Sequence, residues 1–322
     1  MKILQVTGPN SVFTITETPV PEPGPGEARV RILGVATCPQ WDLHLRHNEP
    51  MFVGHQFHYP YTPGQPGHEA TGVIEAVGTP PDPLGERRGE LAVGDRVSVW
   101  RDAGHNKLGC YAQQVVRPVG DLIKVPAHLP VEATASVELA MCVGASFLML
   151  RERNALGAKR FGVCGLGPAG LIAAQLARAE GATEVIGWDT SATRREYALE
   201  RGLVDEAYDP RTDPAPAPVE VAIDCVGAKA SVEFLMDHTH GVLALFGVQR
   251  EPYTFAVHHY GRLTLCGYPG HSRAAAEYAV GWIEAGKLDL SCLVTHTLPL
   301  ERYAEGIALL ERQEAIKVCF VP

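Results

Sequence analysis

The sequence predicts an α/β protein in which a compact β-rich unit is followed by a parallel sheet covered by helices. Short β-prone runs punctuated by Pro and Gly fill the chain to about residue 140, and from about Leu148 strand-like and helical segments alternate. A glycine-rich turn in the second region has the spacing of a phosphate-binding loop. At 322 residues the chain exceeds the usual size of one domain, so two are expected.

In the first region the strand-like runs are Ala28 to Val35, Thr71 to Val77, Arg96 to Trp100 and Cys110 to Arg117, separated by turn-forming stretches such as VPEPGPGE and TPPDPLGE. The second region reads RFGVCG, PAGLIAAQLARAEG, EVIGWD and TRREYALERG, with later apolar runs VEVAIDCVG, GVLALFGV and GRLTLCGY. The last fifty residues carry an amphipathic helix from Ala274 to Ala285, a second helix from Leu300 to Arg312 and a final strand from Lys317 to Val321.

Composition excludes several classes. Lys and Arg number 28 against 37 Asp and Glu, a net charge of −9, with no basic cluster beyond pairs such as Arg87-Arg88, so a nucleic-acid partner is not expected. No apolar run reaches the roughly 18 residues of a membrane span, and MKILQVTGPN lacks a signal-like pattern, which predicts a cytoplasmic protein. Eight dispersed cysteines do not form a secreted disulfide framework.

GLGPAG places Gly165, Gly167 and Gly170 in G-x-G-x-x-G spacing, with Leu166, Pro168 and Ala169 between them, after the strand Phe161 to Cys164 and at the mouth of a helix. Gly165 serves the tight turn, Gly167 the approach of a pyrophosphate, and Gly170 the packing of helix on strand. The helix N-terminus then offers free N–H groups to phosphate. The next strand ends in Asp189, nineteen residues past Gly170, where a carboxylate accepts bonds from an adenine-ribose diol and repels a 2′-phosphate. This is a Rossmann pattern that favours NAD over NADP, with Arg194 and Arg195 near enough to moderate the preference.

In the first region GQPGHEATGVIEAVG sets His68 and Glu69 side by side before a strand. With PGPGEARVRILGVATC, VGDRV, GCYAQQVV, the GLGPAG unit, DCVG and the closing KVCFVP, the chain resembles the zinc-dependent medium-chain dehydrogenase/reductase family of alcohol, polyol and threonine dehydrogenases. The resemblance implies a GroES-like catalytic domain over residues 1–143, a Rossmann NAD-binding domain over 144–272, and a return to the catalytic domain over 273–322. It also implies one catalytic zinc. Cys38 and His68 match ligand positions, and Glu69 would orient the site or briefly ligate the metal. For the third ligand Cys142 is preferred, in a C-x-G setting, with Glu138 as the carboxylate alternative.

Two departures from the family stand out. The segment from Val97 to Gly109 lacks the four-cysteine lobe that holds a structural zinc in many relatives, so no structural zinc is expected. After Cys38 the chain reads Pro39-Gln40-Trp41-Asp42-Leu43-His44 where relatives carry a hydroxyl that relays a proton, leaving Asp42 and His44 as candidate bases. The His- and aromatic-rich stretch containing His47, His55, Phe57, His58 and Tyr59 reads first as a solvated surface loop, with lining of the substrate cleft as the alternative. Lys317 matches a basic position that approaches cofactor phosphates. The function so implied is hydride transfer between a secondary alcohol or polyol and NAD, on a small-molecule alcohol or ketone, in a homodimer or homotetramer. The rivals are a zinc-free quinone or enoyl reductase and a non-catalytic dinucleotide-binding protein.

Overall fold

The computed structural model describes residues 1–79, 91–214 and 216–322. The run PPDPLGE and the Arg87-Arg88 pair lie outside the described residues. Two compact units result: residues 1–139 with 290–322, and residues 140–289.

The first unit opens with a hairpin, β1 (Lys2–Gly8) against β2 (Val12–Glu17), followed by β3 (Glu27–Ala36), helix α1 (Pro39–His47), β4 (Glu69–Val77), β5 (Arg96–Val99), β6 (Gln114–Pro118) and β7 (Leu122–Lys124). A one-turn helix α2 (Glu132–Ala135) precedes α3 (Val137–Glu152), along which the chain passes from the first unit into the second. The second unit contains β8 (Arg160–Cys164), α4 (Pro168–Ala179), β9 (Glu184–Trp188), α5 (Ala192–Glu200), β10 (Glu206–Tyr208), β11 (Val219–Asp224), α6 (Lys229–His238), β12 (Thr239–Leu245), β13 (Thr264–Cys266) and α7 (Arg273–Glu284). The chain then rejoins the first unit with β14 (Val294–Pro299), α8 (Tyr303–Glu311) and β15 (Lys317–Val321).

The first unit's main sheet runs β14-β15-β3-β4-β5-β7, with β6 on β3. Its central strand shows why: Ala28, Val30 and Ile32 alternate inward into the core with Val6, Ile74, Val115 and Phe320, while Arg29 and Arg31 point out. The second unit is a six-stranded parallel sheet in the order β10-β9-β8-β11-β12-β13. Strands covered on both faces read as unbroken apolar runs, and β8 and β9 are buried along four consecutive residues each.

Two boundaries differ from the expected ones. The chain leaves the second unit at residue 289 rather than 272, because α7 buries Ala275, Ala276, Ala279, Val280 and Ile283 within that unit's contacts. In the run Cys110 to Arg117 only Gln114 onward is strand. Cys110 and Tyr111 instead bond across to Gly67 and Gly64, and Ala112 bridges Ile3. A third difference is α1, whose last turn runs into the stretch read as loop, as far as His47: Pro39 stands in its first turn, where a missing N–H costs nothing, and Asn48 closes it with φ 56°.

Candidate active site

The chain's turns bring three ligand-type side chains together in the first unit. Cys38 caps the N-terminus of α1, Glu69 opens β4, and His68 precedes it; their ligand atoms all lie within 4.8 Å of one another. His68 and Glu69 are 6% and 1% exposed, which requires partners for both. His68 Nδ1 donates to Pro66 O at 2.7 Å, so its Nε2 keeps the lone pair that a metal ligand needs. A set of thiol, correctly oriented imidazole and carboxylates suits zinc.

Of the two candidates for the third ligand, Glu138 faces this group: its Oε2 lies 3.9 Å from His68 Nε2, and the residue is buried. Cys142 sits one helical turn further along α3 from Glu138, with its thiol within 4.8 Å of that carboxylate. Of the two candidates, Glu138 is therefore the one the first unit itself sets against His68. A C-x-G spacing drew attention to the thiol, whereas the helical register presents Glu138.

Lys317 also differs from expectation. It is fully buried, and its Nζ binds both oxygens of Glu69 at 2.5 Å and Thr37 O at 2.6 Å. A side chain with no exposed surface cannot reach cofactor phosphates; it neutralises Glu69 instead. Asp42 is likewise no solvent-linked base. It is fully buried and accepts from Tyr111 Oη, Tyr303 Oη and the Cys38 N–H, and burial, moderated by those bonds, moves its pKa up to about 6. Asp42 thus fixes the start of α1 and the Cys38 backbone. His44 lies in the last turn of α1 with Nδ1 donating to Glu49 O at 3.2 Å.

The aromatic-rich stretch divides. His47 pairs with Glu311, Tyr59 bonds Leu45 O, and His58 is exposed. His55 and Phe57 pack edge-on to Trp41, with ring centroids 5.7 and 6.2 Å away. His105 stacks on Trp41 at 3.7 Å and stands 6.5 Å from the His68 ring. Sequence reasoning missed His105, a lone histidine in the short segment that replaces the cysteine lobe. Burial, aided by the neighbouring histidines and opposed by Asp102, depresses its pKa to about 4.

In the second unit the glycine turn has the geometry its spacing implies. Gly165 has φ +90°, and a Cβ on Gly170 would stand 1.8 Å from Gly165 O, so neither position admits a side chain without moving the turn. Gly167 caps α4, with Pro168 and Ala169 beginning its first turn. Asp189 follows β9 and accepts from Leu166 N–H at 2.7 Å and Ser191 N–H at 2.8 Å, which places the carboxylate against the turn. Arg194 Nη1 lies 3.8 Å from Asp189 Oδ2, whereas Arg195 is held by Asp189 O and Asp209. A further group, Asp237, His258 and His259, does not suit a metal. His259 Nδ1 accepts the Ala256 N–H, so Nε2 carries the proton it gives to Asp237, the reverse of the His68 arrangement.

Two family models match the chain: the alcohol dehydrogenase GroES-like domain over residues 24–127 and the zinc-binding dehydrogenase domain over 168–285. The chain belongs to the zinc-dependent medium-chain dehydrogenase family, a class of alcohol and polyol oxidoreductases. It is 23% identical to L-threonine 3-dehydrogenase of Bacillus subtilis over 96% of this chain and 94% of that one, and 28% identical to sorbitol dehydrogenase of Pongo abelii over 78% of each. The L-threonine 3-dehydrogenase of Bacillus licheniformis is 26% identical and is matched over 65% of its length. Among solved structures, 2R,3R-butanediol dehydrogenase of Bacillus subtilis superposes with a TM-score of 0.82 at 20% identity, covering 100% of this chain and 99% of that one. No described helix is long and apolar enough to cross a membrane.

Proposed function

We propose that the chain is an NAD-dependent dehydrogenase that oxidises a secondary alcohol or polyol at one zinc held by Cys38, His68 and Glu138. The observation that carries this reading is the His68 tautomer: Nδ1 is committed to Pro66 O, leaving Nε2 as an acceptor that faces Glu138 within a buried group containing Cys38. Zinc bound there supplies Lewis acidity that favours the alkoxide of the substrate. Glu69, neutralised by Lys317, closes the group without leaving a buried carboxylate unpaired. The N–H groups at the start of α4 bind the pyrophosphate, and Asp189 takes the adenine-ribose hydroxyls. Arg194, beside that carboxylate and 40% exposed, sets how much NADP is tolerated. Edge strand β13 is paired on one side, to β12, and Val257 and Tyr260 ahead of it are exposed, which supports a dimer formed through that edge.

The test is NAD reduction across a panel of secondary alcohols and polyols, with zinc measured in the same preparation. Alcohol-dependent reduction that needs zinc is expected. Reduction of quinones or enoyl compounds by zinc-free protein would replace this reading, and neither activity would leave a binding protein.

A further inference from the structure

Among the described residues, buried polar atoms close to the His68 group stand without a hydrogen-bond partner. Tyr61 Oη and His105 Nδ1 are buried and unbonded, although the Tyr61 ring lies 6.0 Å from that of His105 and His105 lies 6.5 Å from His68. Leaving a buried hydroxyl or imidazole nitrogen unpaired costs the desolvation of that group with nothing in return, so an arrangement that holds both in place implies a group that satisfies them.

Both are held firmly. The Tyr61 backbone is fixed at each end, N–H to Val6 O at 2.7 Å and carbonyl to Gln5 Nε2 at 2.8 Å, and its ring packs edge-on to Phe57. His105 rides on a loop that folds back on itself: Asp102 Oδ1 accepts the Gly104 N–H at 3.1 Å, and Gln65 Nε2 donates to Gly104 O and Lys107 O. Asp102 Oδ2 lies 3.4 Å from His105 Nε2, and a carboxylate on that side favours the tautomer with the proton on Nε2 and Nδ1 as acceptor. One donor and one acceptor match what an alcohol hydroxyl offers in return. Stacked on Trp41, three residues after Cys38, the imidazole is tied to the helix that carries the thiol.

We propose that Tyr61 and His105 form a hydroxyl-binding subsite next to the Cys38–His68 group, where a substrate's second hydroxyl accepts from Tyr61 Oη and donates to His105 Nδ1. This rests on the dehydrogenase reading above and narrows its substrate class to alcohols that carry a second hydroxyl. A monoalcohol leaves both groups unpaired and is discriminated against on that account.

The experiment compares 2,3-butanediol with 2-butanol, which differ by one hydroxyl, as substrates with NAD. It also titrates the diol into zinc-loaded enzyme while tryptophan fluorescence is followed. The wild type should favour the diol in kcat/KM by roughly 10- to 100-fold. Tyr61→Phe removes only an unpartnered hydroxyl, so folding stability should hold or rise, and His105→Phe keeps a ring on Trp41. Each variant should cut the diol-to-monoalcohol ratio by roughly 5-fold or more and weaken diol binding by a similar factor. A wild type that does not distinguish the two alcohols, or a ratio unchanged in both variants, overturns the subsite. Diol binding that is weakened by the variants in a protein that oxidises neither alcohol would keep the subsite and overturn the dehydrogenase reading. Neither binding nor turnover overturns both.

Discussion

Replacing Lys317 with Met tests the buried pair that the structure sets beside the candidate metal group. Lys317 and Glu69 side chains are 0% and 1% exposed, and the ammonium is shared between both Glu69 oxygens and Thr37 O. Lys317→Met fills the volume of the stem but leaves the Glu69 carboxylate buried with no counter-charge. Removing one partner of a buried pair costs about 3–5 kcal/mol, a large share of the roughly 5–15 kcal/mol by which domains are stable. Glu69→Gln in the same background removes the stranded charge, so the double variant should be less destabilised than the sum of the single ones by about 2 kcal/mol or more. The assay is urea unfolding of all four proteins at fixed zinc concentration, with metal content quantified in each. A Lys317→Met cost below about 1 kcal/mol, or strict additivity in the cycle, would show that the two charges do not depend on each other. NAD affinity measured by fluorescence titration should be nearly the same in Lys317→Met and wild type, since the lysine offers no surface to a cofactor; a loss of about tenfold or more would return it to the phosphate site.

Four further outcomes follow from the geometry. Asp189→Ser should lower kcat/KM with NAD by roughly ten- to a hundredfold and raise it with NADP, because charge-assisted bonds to the ribose are lost and Arg194 is freed; an unchanged ratio would remove Asp189 from the ribose. Glu138→Ala should lose zinc by elemental analysis while Cys142→Ser keeps it, and the reverse pattern would reinstate the thiol. Burial, opposed by bonds from Ser231, Gly227, Gln249 and Val226, raises the Asp224 pKa above 3.8. A carboxyl raised on folding favours the fold below its unfolded pKa and loses that contribution as pH rises through the folded one, so the stability of wild type relative to Asp224→Asn should fall as pH is raised from below about 4. A difference that grows over that range would mean that the carboxylate, not the acid, is what the fold prefers. Light scattering should give a dimer or a dimer of dimers, and a monomer at micromolar concentration would contradict pairing through β13.

Local pattern carried most of the fold. The alternation in β3, the apolar runs of β8 and β9 and the GLGPAG turn each encode their conformation within a few residues, and the structure adopts them with small shifts at the ends. What was not legible depends on contacts distant in sequence. Asp42 meets Tyr303 across 261 positions and Lys317 meets Glu69 across 248, and in both cases burial turned a residue that looks reactive into a neutralised structural one. Glu138 was visible as a carboxylate, but its approach to His68 depends on the register of α3, which no local motif encodes. His105 had no motif to announce it, and its place is set by Trp41, Asp102 and Gln65.

The central claim, one zinc held by a single thiolate with imidazole and carboxylate, is tested most directly by X-ray absorption at the zinc edge of the purified protein. The account predicts about one zinc per chain, with a shell of one sulfur at about 2.3 Å and nitrogen or oxygen ligands at about 2.0–2.2 Å. A shell with two sulfurs would mean that Cys142 joins Cys38, and a protein that takes up no zinc when supplied with it would contradict the account.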